Sequence, residues 1–554
     1  MIGKYELKRT RHQALKNELS SWIAHYKELS TFCSPRSGRF FTQDRNKGDR
    51  KHNNIYDNTG LRALGVLAAG MMSGNTSPAR PWFRLAVHDT DLMEYEPVKV
   101  WLNQVTLLMR DVFERSNTYR SLHKAYRELG CFGTAAFAVL ENYKTVIWNH
   151  SSTAGEYCIA TDYNGKVNTF YREYEITVAQ MVDEFGLENC SLQVQSLFKS
   201  GKGFDSWRPI VHAIQPRDAS KGERDYQRKD NKNMAFSSCY YETSGDKESY
   251  LRESGFEEFP IIAPRWDTSG GDIYGNSPAM EALGDIKQLQ HEQYRKAQAI
   301  DFKTLPSMQA PTSAKGAEIK FLPGGLTYVD NPGRDKAISS AFDVNLDLSH
   351  LLADIEDVRG RIDKAFYVDL FAMIANDTRS NITAREIAER HEEKLLMLGP
   401  VLENLNNEML DPLIDITFSR MLRAGILPPL PEELDGQELN VQFISTLAQA
   451  QRAVGLGSID RLLGTVAMLG QVGKPEAVDK LDGDEIIDQV SDMLGLDPKL
   501  IVADDKVALI REDRAKQQAQ MQQAAMMPQM AKAAKDASQA DTEKQSVLTS
   551  MMPG

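Results

Sequence analysis

Three acidic residues, Asp354, Glu356 and Asp357, stand within four positions of one another in ADIEDVRG. Carboxylates so spaced are the residue types that hold Mg²⁺ when a second segment completes the oxygen shell. The same spacing also describes the solvated outer face of a helix. Two His-Glu pairs, His291-Glu292 and His391-Glu392, resemble the start of a zinc motif. Neither is followed by a histidine four residues on, so the i, i+4 pair that grips zinc is missing, and both fall in charged helical stretches where exposure is expected. The chain contains no G-x-x-x-x-G-K-[ST] and no G-x-S-x-G, which leaves a P-loop motor and a serine hydrolase without their spacing. Five scattered cysteines, Cys33, Cys131, Cys158, Cys190 and Cys239, lack C-x-x-C spacing. Neither a disulfide framework nor a zinc site is expected, and a reducing compartment fits. The reading is a chain with no catalytic residues, no cofactor and no metal.

A different chemistry is offered by FAMIANDTRSNITAREIAER, residues 371–390. An apolar helical run stops at six short polar residues, Asn376, Asp377, Thr378, Arg379, Ser380 and Asn381, before a new helix begins. Their hydrogen-bonding groups, with one acid and one base, suit brief contact with phosphate better than firm holding. A plain solvated turn is the competing reading.

The elements around that segment follow from periodicity and from Pro and Gly placement. Ser277 is a suitable N-cap with Pro278 at N1, so a helix runs from there to about 302. Pro306, Pro311, Pro323, Gly324 and Gly325 interrupt helix, and IKFLPGGLTYV reads as two short strands in a compact insertion. Helical pattern resumes from about 346 to 375. Thr383 and Glu386 form a T-x-x-E capping box opening a long amphipathic helix that reaches about Arg423, with bends expected at Pro400 and Pro412. On it Leu395, Leu398, Leu402, Leu405 and Met409 recur at the spacing of an internal core stripe. Residues 440–512 read as further helices, and the Gln/Ala/Met-rich stretch 513–554 as a helix needing partners or as disorder.

The first half reads as α+β. Helices are expected over 7–30, 55–74 and 94–128, with a basic polar loop at 32–51. Strands follow in FAVL, KTVIW, EYCIA and VNTFYREY, with Asn164-Gly165 as a two-residue hairpin signal. Thr177 caps a short helix that Gly186 ends, and WRPIVHAIQP, SSCYYET and FPIIAPRW form a second β region around a charged loop, 217–233. The most apolar window, GLRALGVLAAGMMSG at 60–74, is shorter than the roughly 20 residues that span a bilayer, so it reads as a buried helix. The N-terminus carries no apolar core of a signal peptide, so export is not expected.

The chain has 554 residues, 65 Lys plus Arg against 77 Asp plus Glu, and a formal charge of -12. Such a length calls for several domains or one elongated subunit. The acidic balance disfavours a protein whose main task is gripping nucleic acid, since that affinity comes from a surplus of cations.

Four stretches together carry a resemblance: IYDNTGLRALGVLAAGMMSGNTSPARPWFRL (55–85), YREYEITVAQMVDEFG (171–186), FPIIAPRWDTSGGDIYGNSPAMEALGDIKQLQ (259–290) and NITAREIAERHEEKLLMLGPVLENLNNEMLDPLIDITFSRMLRAG (381–425). In order and spacing the chain resembles the portal, or head-to-tail connector, proteins of short-tailed bacteriophages. The resemblance implies an α+β, mainly helical portal fold that assembles as a ring of twelve identical subunits. It divides the chain into a wing (1–275), stem helix 1 (276–302), a clip (303–345), stem helix 2 (346–375), a channel loop (376–382), a long wing helix (383–430), a crown (431–512) and a tail (513–554). It further implies a place at one capsid vertex of the virion after assembly in the host cytoplasm. The implied partners are double-stranded DNA in the channel, the terminase large subunit, a tail adaptor, the major capsid protein and scaffold, with no membrane. ATP hydrolysis would belong to the terminase, and an acidic wall would keep DNA from sticking in passage. The six polar residues at 376–381 would face the DNA. Two other readings stand beside this one: a capsid-assembly protein that forms no channel, and a metal-dependent nucleic-acid enzyme built on Asp354 and Asp357.

Overall fold

The computed structural model describes residues 4–40, 53–89, 95–218, 230–243, 249–304, 349–376 and 398–449 as continuous stretches, with shorter pieces at 308–309, 339–340, 462–468, 483–494 and 506–518 and a few single positions. Contacts divide the chain into two compact units, Met1–Ile459 and Asp460–Gly554. The fold is α+β and mainly helical.

Helix α1 (Lys4–Cys33) is followed by α2 (Thr59–Asn75), the small-residue helix, which is buried along most of its length. Strand β1 (Phe83–Val87) leads into α3 (Glu96–Arg115) and α4 (Thr118–Phe132). The sequence reads these last two as one helical stretch. They separate at Asn117 because that side chain pairs with a strand instead of the helix: its Nδ2 donates to the Asn149 carbonyl at 2.7 Å and its Oδ1 accepts from the Asn149 amide at 2.7 Å.

Two antiparallel sheets follow. Strands β2 (Ala136–Asn142), β3 (Val146–Ser152), β4 (Tyr157–Thr161) and β5 (Val167–Thr177) lie where their β-branched and aromatic residues put them. The Asn164-Gly165 hairpin is looser than expected. Asp162 bonds Lys166 across it, and Gly165 closes a three-residue loop at φ +80°. Thr177 and Gln180 form a reciprocal capping box at the start of α5 (Val178–Phe185), and Gly186 ends the helix at φ +82°. Helix α6 (Leu192–Lys199), β6 (Trp207–Pro216), β7 (Phe236–Glu242), β8 (Arg252–Phe256) and β9 (Ile261–Ile262) complete this part. The five-stranded sheet has the order β4-β5-β6-β7-β8, and β2 sits between β3 and β9 in the three-stranded one.

Helix α7 (Pro278–Thr304) begins at the Ser277 cap, whose Oγ accepts from the Met280 amide at 3.1 Å while donating to the Cys131 carbonyl. Strands β10 (Met308–Gln309) and β11 (Ser339–Ser340) pair antiparallel beyond it, and α8 (Ser349–Ala365) follows. The second helical run is not one rod. Tyr367 takes φ +54°, and a separate α9 (Val368–Asn376) leaves at that point, with Phe366, Leu370 and Phe371 all buried.

Residues 398–405 are helical and pass through a π turn, Asn406–Leu410, into α10 (Asp411–Arg423). The π turn ends two residues before Pro412, which has no amide to donate to an α ladder, so the expected irregularity takes this form. Leu398, Leu402, Leu405 and Met409 are buried as a core stripe. Strand β12 (Leu439–Phe443) then pairs antiparallel with β1, Phe83 opposite Phe443, where the sequence pattern suggests helix from 440. In the second unit α11 (Gly483–Leu494) is tied to the helical residues 506–518 by a bidentate Arg511–Asp484 pair. Leu395, His391, the Thr383/Glu386 cap and the IKFLPGGLTYV strands lie outside the described residues.

Candidate channel segment and the helices that set it

Helices α7 and α8 are antiparallel neighbours. Their facing ends continue into the β10–β11 pair, and farther along, Arg361 of α8 meets Asp285 of α7 at 3.0 Å. Both are rooted on one buried residue, Asp57. Its Oδ1 accepts from the Thr59 amide and hydroxyl at the start of α2. Its Oδ2 accepts from Arg359 Nη2 of α8 at 2.7 Å and from Gln293 Nε2 of α7 at 3.0 Å. Gln290 of α7 completes the junction by accepting from the Tyr56 and Asp57 amides and donating to the Asp57 carbonyl. Burial alone would raise the Asp57 carboxyl, but the hydrogen bonds from Thr59 and Arg359 outweigh it and hold the group below the ordinary carboxylate value. Arg62, one turn into α2, reaches Asp363 of α8 at 3.0 Å.

Helix α2 receives these helices because it is built of small residues. A Cβ on Gly60 would lie 3.0 Å from Ile286 of α7, and one on Gly70 would lie 2.3 Å from Phe371 of α9. Leu64 and Leu67 in turn press on Gly130 of α4. Phe371 therefore seats α9 directly on the α2 backbone, and α9 delivers the chain to Asn376. Of the six polar residues singled out by the sequence, Asn376 is the last of α9, and Asp377, Thr378, Arg379, Ser380 and Asn381 lie outside the described residues.

The acidic trio is not gathered into a cation cage. Asp357 pairs with Arg361 at 3.3 Å and Glu356 with Arg359 at 3.4 Å, while Asp354 is exposed. Among the described residues no group of three or more His, Cys, Asp and Glu converges as a metal site would. His291 is exposed as expected, but Glu292 is not: it is turned inward, where Gln288 Nε2 donates to it at 2.6 Å. All five cysteines are buried thiols outside any disulfide, burial pushing the Cys33 and Cys158 thiols up to about 12. No described helix is long and apolar enough to cross a membrane.

The profile of the family described as "Bacteriophage head to tail connecting protein" matches residues 6–502. The chain belongs to that family. Over 535 residues this connector is 57% identical to the "Probable portal protein" of Bordetella phage BPP-1, covering 97% of its own length and 95% of the relative's. It is 46% identical over 538 residues to the "Portal protein" of Salmonella phage epsilon15, covering 97% and 96%. A solved chain from the "Neck of empty GTA particle" aligns over 83% of this chain and 96% of that one at 11% identity, with a TM-score of 0.38, too low to support an argument.

In this connector the residues that set the helices leading to Asn376, namely Asp57, Gln290, Arg359 and Gly70, are ones that sequence reading passed over. Asp57-Asn58-Thr59 does carry a local signal, an Asx turn ahead of a helix. Nothing local announces that Gln290 and Arg359, more than 200 residues away, converge there. A second cross-chain tie is of the same kind. Arg265, three residues after β9, makes a bidentate pair with Glu408 of the π turn and donates to the Gly165 carbonyl at 2.8 Å.

Proposed function

We propose that this connector is a portal: a ring of identical subunits, twelve in number, at one vertex of the capsid, with DNA entering and leaving through its axis. The observation that carries this reading is near-complete coverage of two phage proteins named as portals at 57% and 46% identity. The antiparallel pair α7 and α8, separated by an insertion and rooted on α2, is what a stem with a clip at its far end requires. In that scheme 1–275 and 383–430 form the wing, 276–302 and 346–375 the stem, 303–345 the clip, 431–512 the crown and 513–554 a tail. The ring would dock the terminase large subunit during packaging and a tail adaptor afterwards, among the major capsid protein and scaffold, first in the host cytoplasm and then in the virion.

The segment 376–382 is the proposed channel loop, with Asn376, Asp377, Thr378, Arg379, Ser380 and Asn381 making transient contacts to DNA. Support comes from its place directly after α9, a helix held against Gly70 and therefore fixed relative to the stem. The test is Arg379→Glu in an in vitro packaging reaction. The expected result is a loss of packaged or retained DNA with ring formation intact, and unchanged packaging would remove the loop from the mechanism.

A further inference from the structure

Helix α7 has 27 residues, but its buried side chains end at Glu292. None of residues 293–304 is buried by the rest of its own chain, and Tyr294, Ile300 and Phe302 are exposed. Leu352, on α8, is exposed as well. An isolated stretch of this length gains little from its own backbone bonds, and helices of this kind draw their stability from packing. The charges on the two helices differ in sign. Arg295, Lys296 and Lys303 stand on the outer part of α7, whereas Asp354, Glu356 and Asp357 stand on α8, with Glu356 and Asp357 side chains 78% and 71% exposed. No ion pair joins the two sets within the chain among the described residues. Of the trio, Glu356 and Asp357 pair with Arg359 and Arg361 of the same helix.

We infer that the acidic face of α8 in one copy docks on the basic outer part of α7 in the next copy, with Leu352, Ile300 and Phe302 in the seam. The occupant is a second copy of this chain because both halves of the complementary pair lie on one polypeptide. A contact between two different faces of identical subunits is the kind that closes a ring. Opposed charges would fix the register of the seam, and its apolar residues would supply burial. The inference rests on the ring proposed above and gives the acidic trio a role that metal binding does not.

The experiment uses two full-length variants, Asp354→Lys/Glu356→Lys and Lys296→Glu/Lys303→Glu, with assembly followed by analytical ultracentrifugation and electron microscopy. Each variant alone is expected to need about tenfold more protein than the unaltered chain to assemble. An equimolar mixture is expected to recover assembly, because alternating copies then present opposite charges at every seam. Thermal unfolding of the unassembled fractions at the temperature of the unaltered chain would show that both variants fold. Variants that assemble like the unaltered chain, or a mixture that fails when both variants are folded, would overturn the inference while leaving the portal reading in place. An unaltered chain that forms no ring would instead sink the portal reading itself.

Discussion

Asp57 ties three helices at one point, since its carboxylate and its backbone carbonyl bond α2, α7 and α8 together. Asp57→Ala leaves the Arg359 guanidinium, the Gln293 side chain and the Thr59 amide and hydroxyl without their acceptor. We expect a loss of about 2–3 kcal/mol in chemical denaturation. Arg62→Ala, at the exposed end of the Arg62–Asp363 pair, should cost less than about 1 kcal/mol. Equal losses would show that the junction is no special root.

A second residue-scale expectation concerns Glu128 on α4, which accepts from Thr153 Oγ1 at 2.9 Å and from the Ala154 amide at 3.1 Å. Burial, more than anything else, raises its carboxyl to about 7. The folded chain thus keeps this proton up to about pH 7, whereas an unfolded glutamate releases it near pH 4. The unfolded state binds fewer protons in that window, so this group's contribution to stability falls as pH rises from about 4 to about 7 and is level above. Glu128→Gln, which stays neutral throughout, should raise the melting temperature at pH 8 and change it least at pH 4. A shift independent of pH would contradict the assignment.

At the scale of elements, α2 behaves as a groove that other helices enter, and its glycines are not equivalent. Gly70→Ala puts a methyl 2.3 Å from Phe371 and must push α9 away, with an expected loss of about 3 kcal/mol. Gly65 faces open space in the same helix, so Gly65→Ala should gain about 0.5–1 kcal/mol. Urea denaturation of the two variants reads both signs, and two losses of similar size would refute the groove.

Elements whose cause is local were legible in the sequence. The α7 start at Ser277-Pro278, the capping of α5 by Thr177, the strands of the first half and the stripe at Leu398, Leu402, Leu405 and Met409 each follow from spacing within a few residues. What escaped depends on distant partners. Asn117 breaks a helix because Asn149 is beside it, and residues 439–443 become a strand because β1 offers an unpaired edge. Tyr367 is held at positive φ where α8 gives way to α9, a turn no local pattern announces. The helical run that ends at Asn376 was legible in the sequence. Its setting on Gly70 was not, because that contact joins residues 301 positions apart in sequence.

For the whole molecule, the net charge of -12 and the family membership point the same way. An acidic assembly lets DNA move without capture. In the proposed portal only cations that face the channel would touch DNA, which is why a single arginine, Arg379, is expected to carry the packaging phenotype. The central claim is that copies of this one chain close around an open axis. Electron microscopy of the purified full-length protein tests it most directly. Rings with a central hole, twelve-fold in averaged end views, are the expected result; monomers only, or closed shells without a hole at the same concentration, would contradict it.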